Sequence, residues 1–307
     1  MTEDATDRLA QEFTTLRDIL RYAVSRFSEA GLSYGHGTVN ALDEAVFLIL
    51  ESLHLPIGDI NPFADARLTL PERRMLLARI AERIATRKPA SYLLRRAYIG
   101  VEAFYVDERV IIPRSFIGEL LLSGTITGEA SSLIPDSAGI SKVLDLCTGS
   151  GCLAVLAAQR FSRAAIHAAD LSKEALDVAR INIAARGLES RITLFQGDLY
   201  RPLGESRYDL ILSNPPYVDA AAMAALPPEY RHEPAMALAG GGVDGLDIIR
   251  RILSDAPRHL TASGMLICEI GRGREILARD YPHIPFLWLE TEHSEGEVFC
   301  LAAEDLC

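Results

Sequence analysis

The stretch Tyr208-Asp-Leu-Ile-Leu-Ser-Asn-Pro-Pro-Tyr217 brings chemically useful groups together on a backbone with little freedom to move. Asn214 offers a side-chain carbonyl, Pro215 a main-chain carbonyl, and Tyr217 an aromatic face with a hydroxyl. Two such oxygens suit a planar NH2 group, because each can accept one of its two hydrogens. An aromatic ring can cover the π face of the same group. Leu210, Ile211 and Leu212 read as a buried strand, which the prolines end because neither has an N–H for the ladder. The residue before each proline is pushed out of the α region, so the turn is stiff and extended. The result is a rigid polar corner at a strand's carboxyl end, where open α/β sheets bind ligands. Taken alone, Asn-Pro-Pro serves as well for a plain strand-ending turn.

A second group lies upstream. Val143-Leu-Asp-Leu-Cys-Thr-Gly-Ser-Gly-Cys152 reads as strand, glycine-rich turn and helix start. The glycines allow close backbone approach, and a helix amino end offers N–H groups. Asp170, 19 residues after Gly151, closes the next strand and stands where a carboxylate grips a ribose. Gln196-Gly-Asp198-Leu199 adds a polar edge fit to read an adenine. Together these residues predict a nucleoside-containing cofactor. Gly149, Gly151 and Ala154 satisfy G-x-G-x-x-A, so a nicotinamide dinucleotide stays open. A dehydrogenase would usually add a His or Lys acid, and these motifs contain neither. A sulfonium methyl donor needs only an oriented nucleophile, which makes methyl transfer the better chemistry. No metal is expected, since the seven histidines show no ligand-like spacing with carboxylates or cysteines. Cys147 and Cys152 read as packing residues around the glycine loop.

The elements that must position these residues alternate from Lys142 onward, as in a parallel sheet flanked by helices. Strands are predicted at 142–146, 165–169, 192–196, 208–213, 264–269, 285–289 and 296–301. Only Glu290 to Glu295 separate the last two, which is too short for a crossover helix, so these two strands are expected to pair antiparallel. The fold class is therefore α/β, a Rossmann-like seven-stranded sheet with one antiparallel strand. Residues 1–90 predict a helical bundle. Its apolar stripes are Leu9, Phe13, Leu16, Leu20, Ala23 and Phe27; Val46, Phe47, Leu50 and Leu53; and Met75, Leu76, Ile80 and Ile84. Residues 91–118 predict a hairpin linker, with strands at 98–106 and 110–112 around Asp107-Glu-Arg. Residues 124–141 read as a loop, and 119–307 as the catalytic domain.

The chain has 307 residues, is 49% hydrophobic and 24% charged, and carries a net charge of −11. That balance is ordinary for a folded protein and argues against a default nucleic-acid binder. The Arg73–Arg96 basic cluster is expected to solvate helix faces. Five scattered cysteines, none in C-x-x-C, fit reduced thiols. With no signal-peptide order or membrane-length apolar run, a cytoplasmic location is expected.

The chain resembles S-adenosylmethionine-dependent methyltransferases acting on a protein glutamine side-chain amide. The resemblance rests on Arg87-Lys-Pro-Ala-Ser-Tyr92, Phe104-Tyr-Val-Asp-Glu-Arg-Val-Ile-Ile-Pro-Arg114, Asp145-Leu-Cys-Thr-Gly-Ser-Gly151, Asn214-Pro-Pro-Tyr217, and Glu233-Pro followed by Ala237 to Gly245. Asn-Pro-Pro-Tyr alone is also similar to DNA and rRNA base amino-methyltransferases. After Pro113-Arg114, release-factor methyltransferases usually carry an Asp-Thr-Glu type of run. Here Ser-Phe-Ile-Gly-Glu-Leu120 follows, which is more similar to the branch modifying large-subunit ribosomal protein three, with Phe116 where a proline is expected. The resemblance implies that Asn214 and Pro215 orient the glutamine nitrogen and that Tyr217, Pro216 and Phe104 wall its pocket. It implies that Cys147, Thr148, Gly149, Ser150 and Gly151 hold the methionine and ribose part of the donor. Asp170 would bind the ribose, Asp198 and Leu199 the adenine, and Asn214 would border the donor. The partner implied is that ribosomal protein, with no direct nucleic-acid binding and no membrane; the helical bundle would recognise the substrate.

Overall fold

The computed structural model describes residues 3–128, 131–291 and 294–306. Cys307, His293 and Glu292 of the expected final turn, and Glu129 and Ala130 of the expected loop, lie outside the described residues. The chain divides into two compact units, one of Met1–Ala97 with Leu226–His232, the other of Tyr98–Ala225 with Glu233–Cys307.

The first unit contains α1 (Glu3–Glu12), α2 (Leu16–Glu29), α3 (Ala41–Ser52), α4 (Leu70–Thr86) and α5 (Ala90–Leu94). The stripe from Leu9 to Phe27 is not one helix. Thr15 breaks it by capping α2: its hydroxyl accepts the Asp18 amide at 3.2 Å, and the Asp18 carboxylate accepts the Thr15 amide at 2.9 Å. Leu16, Ile19, Ala23 and Phe27 then form the buried face of α2. The basic cluster also departs from the solvated face expected of it. Arg83 is fully buried against Glu44 of α3, Arg87 donates to Glu229 at 3.0 Å, and Arg73 caps the Ala10 and Phe13 carbonyls. A carboxylate as buried as Glu44 requires a cationic partner, and that requirement draws Arg83 inward.

The chain passes into the second unit at Tyr98, within a hairpin of β1 (Ala97–Ile99) and β2 (Glu102–Phe104). Its turn falls at Gly100-Val101, where Gly100 takes φ +56°, and not at Asp107-Glu-Arg. Val110–Ile112 form no strand. Arg109 folds back on Asp107, and the Ile112 amide is taken by the Glu233 carboxylate at 2.9 Å.

The remaining strands are β3 (Lys142–Leu146), β4 (Ala165–Asp170), β5 (Ile192–Gln196), β6 (Tyr208–Ser213), β7 (Leu260–Glu269), β8 (Leu287–Thr291) and β9 (Ser294–Ala302). They form one sheet in the order β5-β4-β3-β6-β7-β9-β8, with only β9 reversed. This is the expected fold class. β8 begins two residues later than expected, because Pro285 has no N–H for the ladder. Helices α6 (Phe116–Leu122), α7 (Cys152–Arg160), α8 (Lys173–Ala184), α9 (Ala220–Ala225), α10 (Asp247–His259) and α11 (Arg274–Asp280) accompany the sheet. Two apolar clusters fill the unit, one around Val143, Leu210 and α7, the other around Leu144, Ile211 and α10. Strand order reverses between β3 and β6, and there the carboxyl ends of β3, β4, β5 and β6 leave a crevice.

Candidate active site

The glycine loop is fixed by two carboxylates, one fully buried and one partly exposed to the cleft. Asp145, fully buried on β3, accepts the Thr148 hydroxyl at 2.5 Å and the Ala154 amide at 2.8 Å, tying the turn to the start of α7. Burial pushes its carboxyl up to about 7. Asp170 accepts the Gly149 amide on one oxygen and the Ser172 amide on the other, both at 2.8 Å. Burial raises it above the usual carboxylate range, against those two amides. Each of its oxygens retains a lone pair for a further donor. Gly151 starts α7 at φ +78°, and a side chain there would press to 3.0 Å from Ala179 of α8. Asn182 donates to the Ser150 carbonyl at 2.9 Å.

Loop amides expected to face a ligand are therefore already engaged. Those of Thr148, Gly149 and Gly151 bond Ala169, Asp170 and Thr148 in turn, and that of Ala154 bonds Asp145. A pyrophosphate needs such amides, so this loop is poorly built for a dinucleotide.

Across the crevice, the Ser213 hydroxyl donates to the Leu146 carbonyl at 2.8 Å and ties the end of β6 to β3. The Asn214 amide nitrogen donates to the Arg114 carbonyl at 3.2 Å, which leaves its oxygen as the acceptor end. Pro215 is buried, and Pro216 is partly exposed. The Tyr217 ring rests against Gly271, where an added Cβ would lie 2.7 Å from the ring. Its hydroxyl donates to Glu269 at 3.1 Å. Burial, with the Glu269 carboxylate beside it, holds that phenol well above its ordinary range.

The cleft between these ends encloses about 840 Å3, counting its open mouth. Of the residues singled out from sequence, Cys147, Gly149, Asp170, Asp198, Leu199, Asn214 and Pro216 line it. Thr148, Ser150 and Gly151 shape the loop from behind. Tyr217 and Pro215 stand behind the corner, and Phe104 is 1% exposed in the core with Arg186 over its ring at 4.4 Å. Sequence reasoning missed Leu171, Met236, Ile248 and Arg251, which also line the cleft, as do Arg109 and Pro234, which stand in the family motifs without an expected role. Leu171 had a signal, as the residue directly after Asp170, and Arg109 had one in the Phe104–Arg114 motif; Arg251 had none. Arg251 holds the Asp198 carboxylate at 2.7 and 2.8 Å, so the expected adenine reader is already ion-paired. Neither lysine nor histidine lines the cleft among the described residues, so a side-chain acid for hydride chemistry is missing there.

A seven-stranded sheet with one reversed strand, a glycine loop on its first strand and an Asn-Pro-Pro-Tyr corner on its fourth define a methyltransferase. A family model described as methyltransferase small domain matches residues 131–242, which include the loop, Asp170 and the corner. The chain is 57% identical over 296 residues to the ribosomal protein uL3 glutamine methyltransferase of Bradyrhizobium diazoefficiens, covering 96% of this chain and 92% of that one. It is 50% identical to the protein of that name from Burkholderia pseudomallei, covering 96% of each. To that from Neisseria gonorrhoeae it is 52% identical, covering 98% of each. The chain belongs to this family. No helix among the described residues is long and apolar enough to cross a membrane.

Proposed function

We propose that this protein methylates the side-chain amide nitrogen (N-5) of a glutamine in ribosomal protein uL3, with S-adenosylmethionine as donor. The observation that carries the reading is the orientation of Asn214: its NH2 is committed to the Arg114 carbonyl, so an oxygen is left for a donor in the cleft. The donor supplies an electrophilic methyl group on a sulfonium. Cys147 and Gly149 border its methionine and ribose part, with Thr148, Ser150 and Gly151 fixing that loop. Asp170 offers its two remaining lone pairs to the ribose hydroxyls. Asp198, Leu199 and Leu171 surround the adenine. The loop's engaged amides suit a donor without phosphate.

An amide nitrogen is a poor nucleophile, because its lone pair is delocalised into the carbonyl. Asn214 Oδ1 and the Pro215 carbonyl accept its two hydrogens and aim the lone pair along the line of displacement. As positive charge grows on that nitrogen, both bonds strengthen, so they favour the transition state over the ground state. Placement of the nitrogen supplies much of the remainder. The methylated nitrogen is acidic enough to lose its extra proton after transfer, so no general base is needed beforehand. Tyr217 and Pro216 stiffen and wall the corner. The helical unit contributes recognition of the protein substrate, and an acidic chain of net charge −11 speeds encounter with a basic partner. The arginines of the basic cluster, largely paired within the helical unit, favour a protein acceptor over RNA.

The test is to supply methyl-labelled donor with uL3, a peptide release factor and ribosomal RNA in separate reactions. Label in uL3 is the expected result. Label in the release factor would keep the chemistry and change the substrate, and label only in RNA would overturn the reading.

A further inference from the structure

Two glutamates outside the cleft lining hold the segment 112–116 beside the corner. Glu233, with a fully buried side chain, accepts the Ile112 amide and Arg114 Nη1 on Oε1, both at 2.9 Å, and Arg114 Nη2 on Oε2 at 2.7 Å. Glu269, 1% exposed at the end of β7, accepts the Ser115 hydroxyl at 2.9 Å and the Phe116 amide at 3.0 Å on Oε2. Its Oε1 accepts the Tyr217 hydroxyl at 3.1 Å. Between the two anchored pairs lies the Arg114 carbonyl, the acceptor of the Asn214 NH2 group at 3.2 Å.

The chemistry of Asn214 makes that carbonyl decisive. A side-chain amide turned end over end would present NH2 to an incoming NH2, two donors facing one another. The corner accepts hydrogen bonds only while the Asn214 nitrogen has a better partner behind it. A carbonyl on a loose segment would hold that nitrogen weakly. One fixed by a bidentate arginine–carboxylate pair on one side and a buried carboxylate on the other cannot slide away.

We infer that Glu233 and Glu269 are positioning residues for the methyl transfer, clamping residues 112–116 so that the Arg114 carbonyl turns the Asn214 oxygen toward the acceptor nitrogen. Glu269 at the same time fixes Tyr217, so one carboxylate couples both ends of the Asn-Pro-Pro-Tyr corner. This inference rests on the glutamine-amide reading above.

The test compares Glu233→Gln in the wild-type and Asn214→Ala backgrounds, measuring kcat on uL3 and donor affinity by calorimetry. In the wild-type background, kcat should fall about 10- to 100-fold through misplacement of the corner, with donor affinity unchanged. In the Asn214→Ala background the same substitution should cost nothing further, because the side chain it orients is gone. An equal fall in both backgrounds, or an undiminished kcat in the first, would overturn the inference. Should Glu233→Gln not fold, Glu269→Gln against Tyr217→Phe gives a second cycle. Strong non-additivity in kcat supports the clamp there, and full additivity overturns it. Wild-type transfer to the glutamine is the baseline of both cycles, and its absence would overturn the parent reading and the clamp with it.

Discussion

At the glycine loop, the groups that set the geometry are close in sequence. Asp145 reaches 3 and 9 residues along the chain, and Gly149 and Asp170 are 21 apart. At the Asn-Pro-Pro-Tyr corner the partners are remote: Asn214 and Arg114 lie 100 residues apart, Ile112 and Glu233 121, and Ser115 and Glu269 154. The loop's donors are mostly backbone amides, taken by two carboxylates close to them in sequence. The corner depends on particular side chains delivered by segments that must first find each other across the fold. One end is a local device for holding a donor. The other is a non-local device for aiming a nucleophile, and damage to each should appear in a different measurement.

The strongest way to sharpen that contrast is Asn214→Ala. Turnover should drop about 100-fold or more, as for loss of one oriented hydrogen-bonding group at the reacting centre, while donor affinity by calorimetry stays put. Near-normal turnover would remove Asn214 from the mechanism. The mirror experiment is Asp170→Ala. It should weaken donor binding by about 1.5–3 kcal/mol, the scale of a charge-assisted hydrogen bond, and leave saturated turnover much less affected. Unchanged affinity would take Asp170 out of the donor site.

A smaller effect comes from pH. Burial raises Glu269 from the ordinary carboxyl value of 4.5 to about 7. Between those values the folded protein keeps a proton that the unfolded chain has released. The contribution of this group is therefore fully present below about pH 4.5 and is lost as pH rises through about 7. The melting temperature of wild type minus that of Glu269→Gln should fall as pH rises across that window. A flat difference in thermal denaturation would mean that Glu269 is ionised throughout. Smallest of all, Arg251→Ala removes a half-exposed partner of Asp198 and should shift donor affinity by no more than about 1 kcal/mol.

What sequence made legible follows the same division. Asn214 stood out because two prolines end a strand at a polar side chain. Asp170 stood out because its distance from the glycines is set by one strand–helix–strand unit. The sheet and its reversed strand followed from alternating apolar runs and one short final connection. Glu233 and Glu269 fit the family pattern with a structural role as the expectation, but nothing in the neighbourhood of either names a partner more than 100 residues away. Arg83 looked like a surface charge until the buried Glu44 carboxylate was placed beside it. Val110–Ile112 have strand-like residue types yet form no strand, because the Ile112 amide is taken by a side chain instead of a neighbouring strand.

The atom that receives the methyl group distinguishes this chemistry from every other transfer to a protein. Fragmentation mass spectrometry of uL3 after reaction with the protein and S-adenosylmethionine reads that atom directly. A single methyl on a glutamine side-chain nitrogen is the predicted result. A methyl on a lysine or a carboxylate would contradict it, because a corner built from two hydrogen-bond acceptors would then have no planar NH2 group to hold.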